Sequence, residues 1–472
     1  MKDKETVHQF PSFAQYLKKV FHLPDYVGRL KDARLDPDIS PQSVFRALLY
    51  GFVFRTRSMK QMEAEVADKH FQRWIGAPRA FKDDVFRYSL CGFELDPLEQ
   101  MLVGINRQLK RNKVFDQGRC QGHIVAALDG IEVLSSYSRC CDACMERRVK
   151  SKDGDGNLVE QIQYYHRAVG CQIVSSPVKP LLAIEWLQPG EGEDTAALRL
   201  LSKLPDLYGS RFFDILLLDS LYPQAPVLKL ADKIGWELVI ALKQEKRDLL
   251  AQELKALFQD AMGLFLQRPA DSSFTEKHNG RKYEVELWDT SGLTFTKDYP
   301  QPVRVVWSKE EVTQNHYRRR KLEAETTFQK WLWITTLDDK AFPSAQVRKL
   351  GHDRWKNENN GWNDLTQNWK LKHGFLHACK HRPKARAASA VETAGAVETA
   401  GAVETADEIP QLTPNRGLAA VVLILCIAFA LSSAFALVHS KIMRLRPMSL
   451  SEVARQLYRS MVRTLPPIRA PG

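Results

Sequence analysis

Apolar positions recur at helical spacing through residues 1–115, and the spacing predicts an all-helical N-terminal region. Ser40 followed by Pro41 reads as an N-cap with proline at the first helical position; Val44, Leu48 and Leu49 then fall at helical spacing. Ser58 with Gln61 three residues later is a capping-box pattern. Arg46, Arg55, Arg57 and Lys60 decorate this pair of helices, either as a solvated basic face or as one that meets DNA.

From Gly122 the periodicity changes. His123 to Leu128 is a short apolar run that closes on Asp129-Gly130, and the stretches 164–174 and 180–186 are rich in β-branched and aromatic residues. Pro189-Gly190 is a turn, and a helix opens at Asp194 with Glu191, Glu193 and Asp194 near its positive end. Phe212 to Asp219 reads as a buried strand ending in Asp; a helix through Val227 to Ile234 and a strand from Trp236 to Lys243 follow. Strands first, then strand–helix–strand, predict a mixed α/β sheet. A Leu-rich helix and alternating runs at 283–288, 303–307 and 331–335 predict a β-rich insertion. A helical stretch containing Arg354 to Asn360 comes next. Residues 390–407 are three copies of Ala-Val-Glu-Thr-Ala-Gly, the last ending in Asp, too polar and small to bury a core.

The expected organisation is a helical DNA-binding region (1–115), the first part of a sheet domain (120–245), the insertion (246–345), a helix-bearing segment (346–382), a low-complexity linker (383–415), and an apolar helix with a basic tail (416–472).

Composition narrows the class. Hydrophobic residues at 44% and charged residues at 26% exclude a disordered chain over most of the length and a disulfide-stapled miniature fold. The 68 Lys and Arg against 56 Asp and Glu leave +12, which favours a polyanionic partner, either nucleic acid or an acidic membrane surface. The charged N-terminus leads into no apolar run, so no signal peptide is expected and the eight cysteines read as reduced cytoplasmic thiols. Leu418 to Val438 has only Ser432 and Ser433 as polar residues; at ~1.5 Å per residue it is long enough to span a bilayer. A helix apolar all round is either membrane-spanning or fully buried.

Three acids are the candidates for chemistry: Asp129 and Asp219 at the ends of apolar strands, and Glu358 on a predicted helix. Three converging carboxylates repel one another unless a divalent cation neutralises them, and hard oxygen ligands suit magnesium or manganese. Two such ions about 3.5–4 Å apart serve phosphodiester cleavage. Cys140, Cys141 and Cys144 form a second group in which Cys141 and Cys144 have zinc-ligand spacing, with His166 or Cys171 as further ligands. The alternative is a buried reduced cluster. Arg147, Arg148 and Lys150 lie close by, and Arg318, Arg319, Arg320 and Lys321, like Lys380 to Lys384, combine basic side chains with aromatic neighbours, a pattern suited to tracking phosphates.

In combination, four blocks carry a family resemblance over residues 30–380: Ala127-Leu128-Asp129-Gly130-Ile131-Glu132; Cys140 through Arg147 with Tyr164-Tyr165-His166; Phe213-Asp214 through Asp219-Ser220-Leu221-Tyr222; and Arg354-Trp355 through Glu358-Asn359 with Asn363-Asp364-Leu365. With them the chain resembles the DDE transposases of bacterial insertion sequences. The resemblance implies a ribonuclease-H-like catalytic domain with a β-rich insertion. It also implies that Asp129, Asp219 and Glu358 bind two magnesium or manganese ions, that transposon ends and target DNA are the double-stranded partners, and that the chain works as a homodimer. Arg354, one turn before Glu358, would pair with it or grip a phosphate. Many relatives read Tyr-x2-Arg-x3-Glu-x6-Lys around the glutamate; here the tyrosine position is Gly351, the lysine position is Leu365, and Asn357 precedes the glutamate. The rival readings are a catalytically inactive relict that only binds DNA, and a membrane-anchored protein held by 418–438. The expected location is the cytoplasm, on the nucleoid when DNA is bound, with a single-pass membrane protein as the minority reading.

Overall fold

The computed structural model describes residues 9–152, 158–243, 252–318, 321–354, 362–372, 375–376, 416–442 and 448–464. The N-terminal region is helical: α1 (Gln9–Phe21), α2 (Leu23–Gly28), α3 (Pro41–Val53), α4 (Met59–Val66), α5 (Lys69–Ile75), α6 (Asp83–Gly92) and α7 (Leu95–Arg111). The Ser40 hydroxyl accepts the Ser43 N–H at 3.2 Å and the Ser58 hydroxyl that of Gln61 at 3.1 Å, satisfying N–H groups that a first helical turn leaves orphaned. Gln61 accepts the Arg57 N–H at 3.0 Å, one residue ahead of the cap. The expected basic face is partly consumed within the fold. Arg55 stacks over Trp369 at 3.9 Å, and burial pushes its pKa down to about 10. Arg46 donates to the Ile75 carbonyl at 3.2 Å.

The sheet domain comprises β1 (Val125–Ser136), β2 (Met145–Lys152), β3 (Leu158–Ile173), β4 (Leu181–Trp186), α8 (Glu193–Tyr208), β5 (Ile215–Asp219), α9 (Ala225–Ile234) and β6 (Glu237–Lys243). After α10 (Gln252–Phe265) come β7 (Ser272–His278), β8 (Arg281–Thr296), β9 (Tyr299–Arg318) and β10 (Lys321–Thr335), then α11 (Ser344–Asp353) and α12 (Asn363–Gln367). The strand order is β2-β3-β1-β5-β6-β10-β9-β8-β7, with β4 paired on β3. Within it, β4-β3-β1-β5-β6 has the first three strands antiparallel and β1, β5 and β6 parallel, which is the ribonuclease-H-like arrangement. The insertion is no separate layer. β10 pairs antiparallel with β6, so its long strands continue the same sheet.

Alternation divides the core. Val125, Ala127, Ile215, Leu217, Val239, Ala241 and Trp333 face Val347 and Leu350 of α11. Ala126, Leu128, Leu216, Leu218 and Ile240 face the other way, in the core that includes Ala197, Leu200 and Leu204 of α8.

One element boundary differs from the sequence reading. β1 does not end at Asp129 but continues to Ser136, because β3 keeps supplying ladder partners across a bulge between Glu132 and Leu134. α11 ends at Asp353, with Arg354 as its C-cap; the rest of the expected helical stretch, 355–360, lies outside the described residues. Glu358, Arg319, Arg320 and the stretch 380–384 lie outside the described residues.

The apolar C-terminal run forms α13 (Arg416–Ile442), followed by α14 (Leu450–Met461). α13 meets the length and composition of a membrane span, yet most of its apolar stretch is buried within the protein. It packs on α3, α6 and α7. Phe435 stands edge-on to Phe13 at 5.1 Å, and Phe429 meets Trp369 at 5.6 Å. α14 completes the bundle: Ser460 accepts the Phe10 N–H at 3.0 Å, and Trp74 donates to the Thr464 carbonyl at 3.1 Å. The helical region is joined to the sheet through Asn106, buried in α7, which donates to the Leu181 carbonyl at 2.9 Å and to the Tyr208 hydroxyl at 3.0 Å.

Candidate active site

The register of β1 against β5 brings two of the predicted acids together. The parallel pairs Val125↔Ile215, Ala126↔Leu216 and Ala127↔Leu217, continued by two residues, set Asp129 abreast of Asp219. Because Ala127 and Leu217 share one face of the sheet, period two sends both aspartates out on that face. The same face carries α11, whose C-cap delivers Arg354 to Asp129 with 3.9 Å between Nη1 and Oδ2. The Arg354 side chain is only 4% exposed. One Asp129 oxygen accepts the Gly130 N–H at 3.0 Å, and one Asp219 oxygen accepts the Leu221 N–H at 2.9 Å. The aspartates open into a polar cavity of about 300 Å³, also lined by Glu132, Arg354, Asn363 and Lys372.

Several of these side chains were not legible as site residues. Trp362, Asn363 and Lys372 reach the cavity from the segment around α12. Trp362 sits there because Gly170, the β3 partner of Asp129, has no side chain. A Cβ at 170 would lie 2.5 Å from the indole ring. Behind the aspartates, Tyr222 donates to Glu193 at 2.5 Å, and Glu193 is also paired with Arg167. Burial, then the charges of Glu193, Asp219 and Asp129, push the Tyr222 pKa well up, so the phenol keeps its proton.

Gly351 and Leu365 each have a local structural reason. A Cβ at Gly351 would lie 1.9 Å from Trp333 Nε1, so the indole fills the space a side chain at 351 would need. Leu365 is buried in the core. Lys372, seven residues further on, is the lysine that lines the cavity.

α11 is held by a buried ion cluster. Glu310 of β9 is 0% exposed and accepts two bonds from Arg348, at 2.9 and 2.8 Å. It also bonds His352 at 3.0 Å and Ser308 at 2.9 Å, while Arg348 reaches Glu276 at 2.7 Å. Burial alone would push the Glu310 pKa up; the bonds from His352 and Arg348 outweigh it and hold it at about 2. A depressed carboxylate stabilises the fold above its unfolded pKa near 4.5, and that share is lost as pH falls through about 2. Glu310→Gln leaves the buried Arg348 with only the half-exposed Glu276 as counter-charge and is expected to cost about 3 kcal/mol. Urea unfolding at neutral pH measures it, and a cost below ~1 kcal/mol would show that the cluster does not hold α11.

The cysteine group divides. Cys141 and Cys144 lie 3.7 Å apart at sulfur, and His166 Nε2 is 3.3 Å from one and 3.4 Å from the other. Cys171, five residues beyond His166 in β3, projects to the other face of that strand; it is fully buried, opposite Leu128 and Ala183. It is therefore no ligand for this group. Arg318 and Lys321 form the last backbone pair of the β9–β10 hairpin.

No protein-family model matches the chain, and no curated protein matches it. Among solved structures, the chain is similar to the cryo-EM structure of a piggyBac transposase synaptic complex with hairpin DNA, at 10% identity and a TM-score of 0.36, over 97% of this chain and 79% of that one. At that distance the functional reading rests on the site itself.

Proposed function

We propose that this chain is a DNA transposase of the insertion-sequence DDE type, which cleaves transposon ends and joins them to target DNA. The observation that carries the reading is the meeting of Asp129 and Asp219, 90 residues apart by subtraction of their numbers, on one face of a ribonuclease-H-like sheet with Arg354 beside them. The four sequence blocks that resemble such enzymes supply the second support.

Two abreast carboxylates in a polar cavity are the hard oxygen donors that magnesium or manganese takes, so the residues present fit that cofactor. Asp129 and Asp219 would hold the ions, with Glu358 as the further donor. When bound, such ions activate the attacking oxygen and stabilise the leaving one. Arg354 offsets the negative charge of Asp129 and fixes its orientation. Lys372 and Asn363, at the cavity wall, meet the phosphate that enters. The chain would act in the cytoplasm as a homodimer, since two transposon ends must be brought together.

The test uses the full-length protein and DNA carrying the inverted repeats that flank its gene. Magnesium-dependent nicking at the repeat ends, leaving a 3′-hydroxyl, is the expected result. Tight binding of the same DNA without any cut, in magnesium and in manganese, would identify a relict instead.

A further inference from the structure

We propose that Cys141, Cys144 and His166 hold a structural zinc ion that clips the β1–β2 loop to β3, a role apart from the metal chemistry of the aspartates. Zn–S bonds of ~2.3 Å and a Zn–N bond of ~2.0 Å in tetrahedral geometry require ligand edges of about 3.8 Å between sulfurs and about 3.5 Å from sulfur to nitrogen. The three edges here are 3.7, 3.3 and 3.4 Å. The three ligand atoms thus already outline one face of a zinc tetrahedron; an outward shift of about one to two tenths of an ångström would seat the ion, with a water at the fourth vertex.

The surrounding backbone is built for the purpose. Cys141 and Cys144 are bridged by a tight turn, with the Cys144 N–H on the Cys141 carbonyl at 3.0 Å. The Cys141 N–H points at the Cys144 sulfur at 3.3 Å, a donor that stabilises a thiolate. His166 is fixed by its strand position opposite Leu134, is buried, and stands edge-on to Trp186. A CxxC turn and a strand histidine 22 residues from Cys144 converge on one point.

The clip would hold something useful. The loop leads directly into β2, where Arg147 makes a two-pronged pair with Glu132 at 2.8 and 3.2 Å and lies over Tyr165 at 4.6 Å. Glu132 lines the aspartate cavity. Zinc would thereby fix the root of a basic hairpin against the rim of that cavity.

The experiment is metal analysis of the full-length chain purified under reducing conditions without added DNA. The expected content is one zinc per chain, with replacement by cobalt giving the visible and near-ultraviolet bands of tetrahedral thiolate coordination. Cys144→Ser and His166→Ala should each lose the metal, while Cys171→Ser, in the core and outside the trio, should keep it. If a ligand variant does not fold, the cobalt spectrum of the wild-type chain decides alone. Wild-type protein that carries no zinc and takes up no cobalt would overturn the proposal, as would a Cys141–Cys144 disulfide in the freshly purified chain. Neither result depends on DNA cleavage, so the zinc site and the transposase reading stand or fall separately.

Discussion

Asparagine at Asp129 or Asp219 is expected to lower magnesium-dependent strand cleavage by ~10³-fold or more, equivalent to about 4 kcal/mol of transition-state stabilisation. The substitution keeps the volume of the side chain and an oxygen that can accept the Gly130 or Leu221 N–H, so local geometry is retained. What it removes is one of two negative charges set abreast by the β1–β5 register. For Asp219→Asn, stability should hold or rise slightly in metal-free buffer, because like charges on adjoining strands repel, whereas Asp129→Asn also takes the counter-charge from the buried Arg354 and should be the less stable of the two. DNA binding at the repeat ends should also hold, since an anion is removed from the path of a phosphate. The double variant should be little worse than either single one, because residues acting as a unit are not additive. Single-turnover nicking with magnesium, thermal melting and gel-shift binding measure the three quantities. Cleavage by Asp219→Asn within ~3-fold of wild type would remove the basis for the proposed chemistry, since a carboxylate that holds the reaction's metal ions cannot be lost with so small an effect.

Most of the scaffold was readable because it follows from period and punctuation. Ser40-Pro41 and Ser58 cap the helices they announced, and Phe212 to Asp219 forms the expected buried strand, from Ile215 onward. What misled was the Asp129-Gly130 pair. An Asp-Gly step after an apolar run is a turn signal, but a strand end depends on its partners, and β3 offers them as far as Ser136. The correct consequence, an aspartate projecting beside the end of β5, needs the register and cannot come from one strand alone. The cavity wall was hidden for a similar reason. Trp362 reaches it through the gap at Gly170, nearly 200 residues away by subtraction of the two numbers. Nothing local in either segment announces that contact. The Glu310 cluster joins β9 to α11 through residues that read singly as ordinary surface charges. The cysteine trio was half legible: the CxxC spacing singled out Cys141 and Cys144, while strand alternation in the fold was needed to choose His166 over Cys171.

The apolar C-terminal helix was ambiguous between two solvents, and a single buried charge separates them with a large effect. Ile424 is fully buried near the middle of the covered stretch of α13, a helix that packs on α3, α6 and α7. Ile424→Asp puts a carboxylate among apolar side chains, in a helix whose own Ser432 and Ser433 hydroxyls have no hydrogen-bond partner among the described residues. The expected cost is above ~4 kcal/mol, enough to unfold a region of ordinary stability. Ile424→Ala removes volume without adding charge and should cost about 2–5 kcal/mol. The damage should spread beyond α13. The bundle is tied to β4 and α8 through Asn106, so protease sensitivity should rise in α1–α7 first and at that junction next. Proteolysis followed by mass spectrometry gives the order, and thermal melting gives the size. The wild-type chain should remain in the soluble fraction after a carbonate wash. Recovery of wild-type protein in washed membranes, together with an Ile424→Asp variant whose α1–α7 remain protease-resistant, would mean that lipid, and not the N-terminal helices, covers this segment.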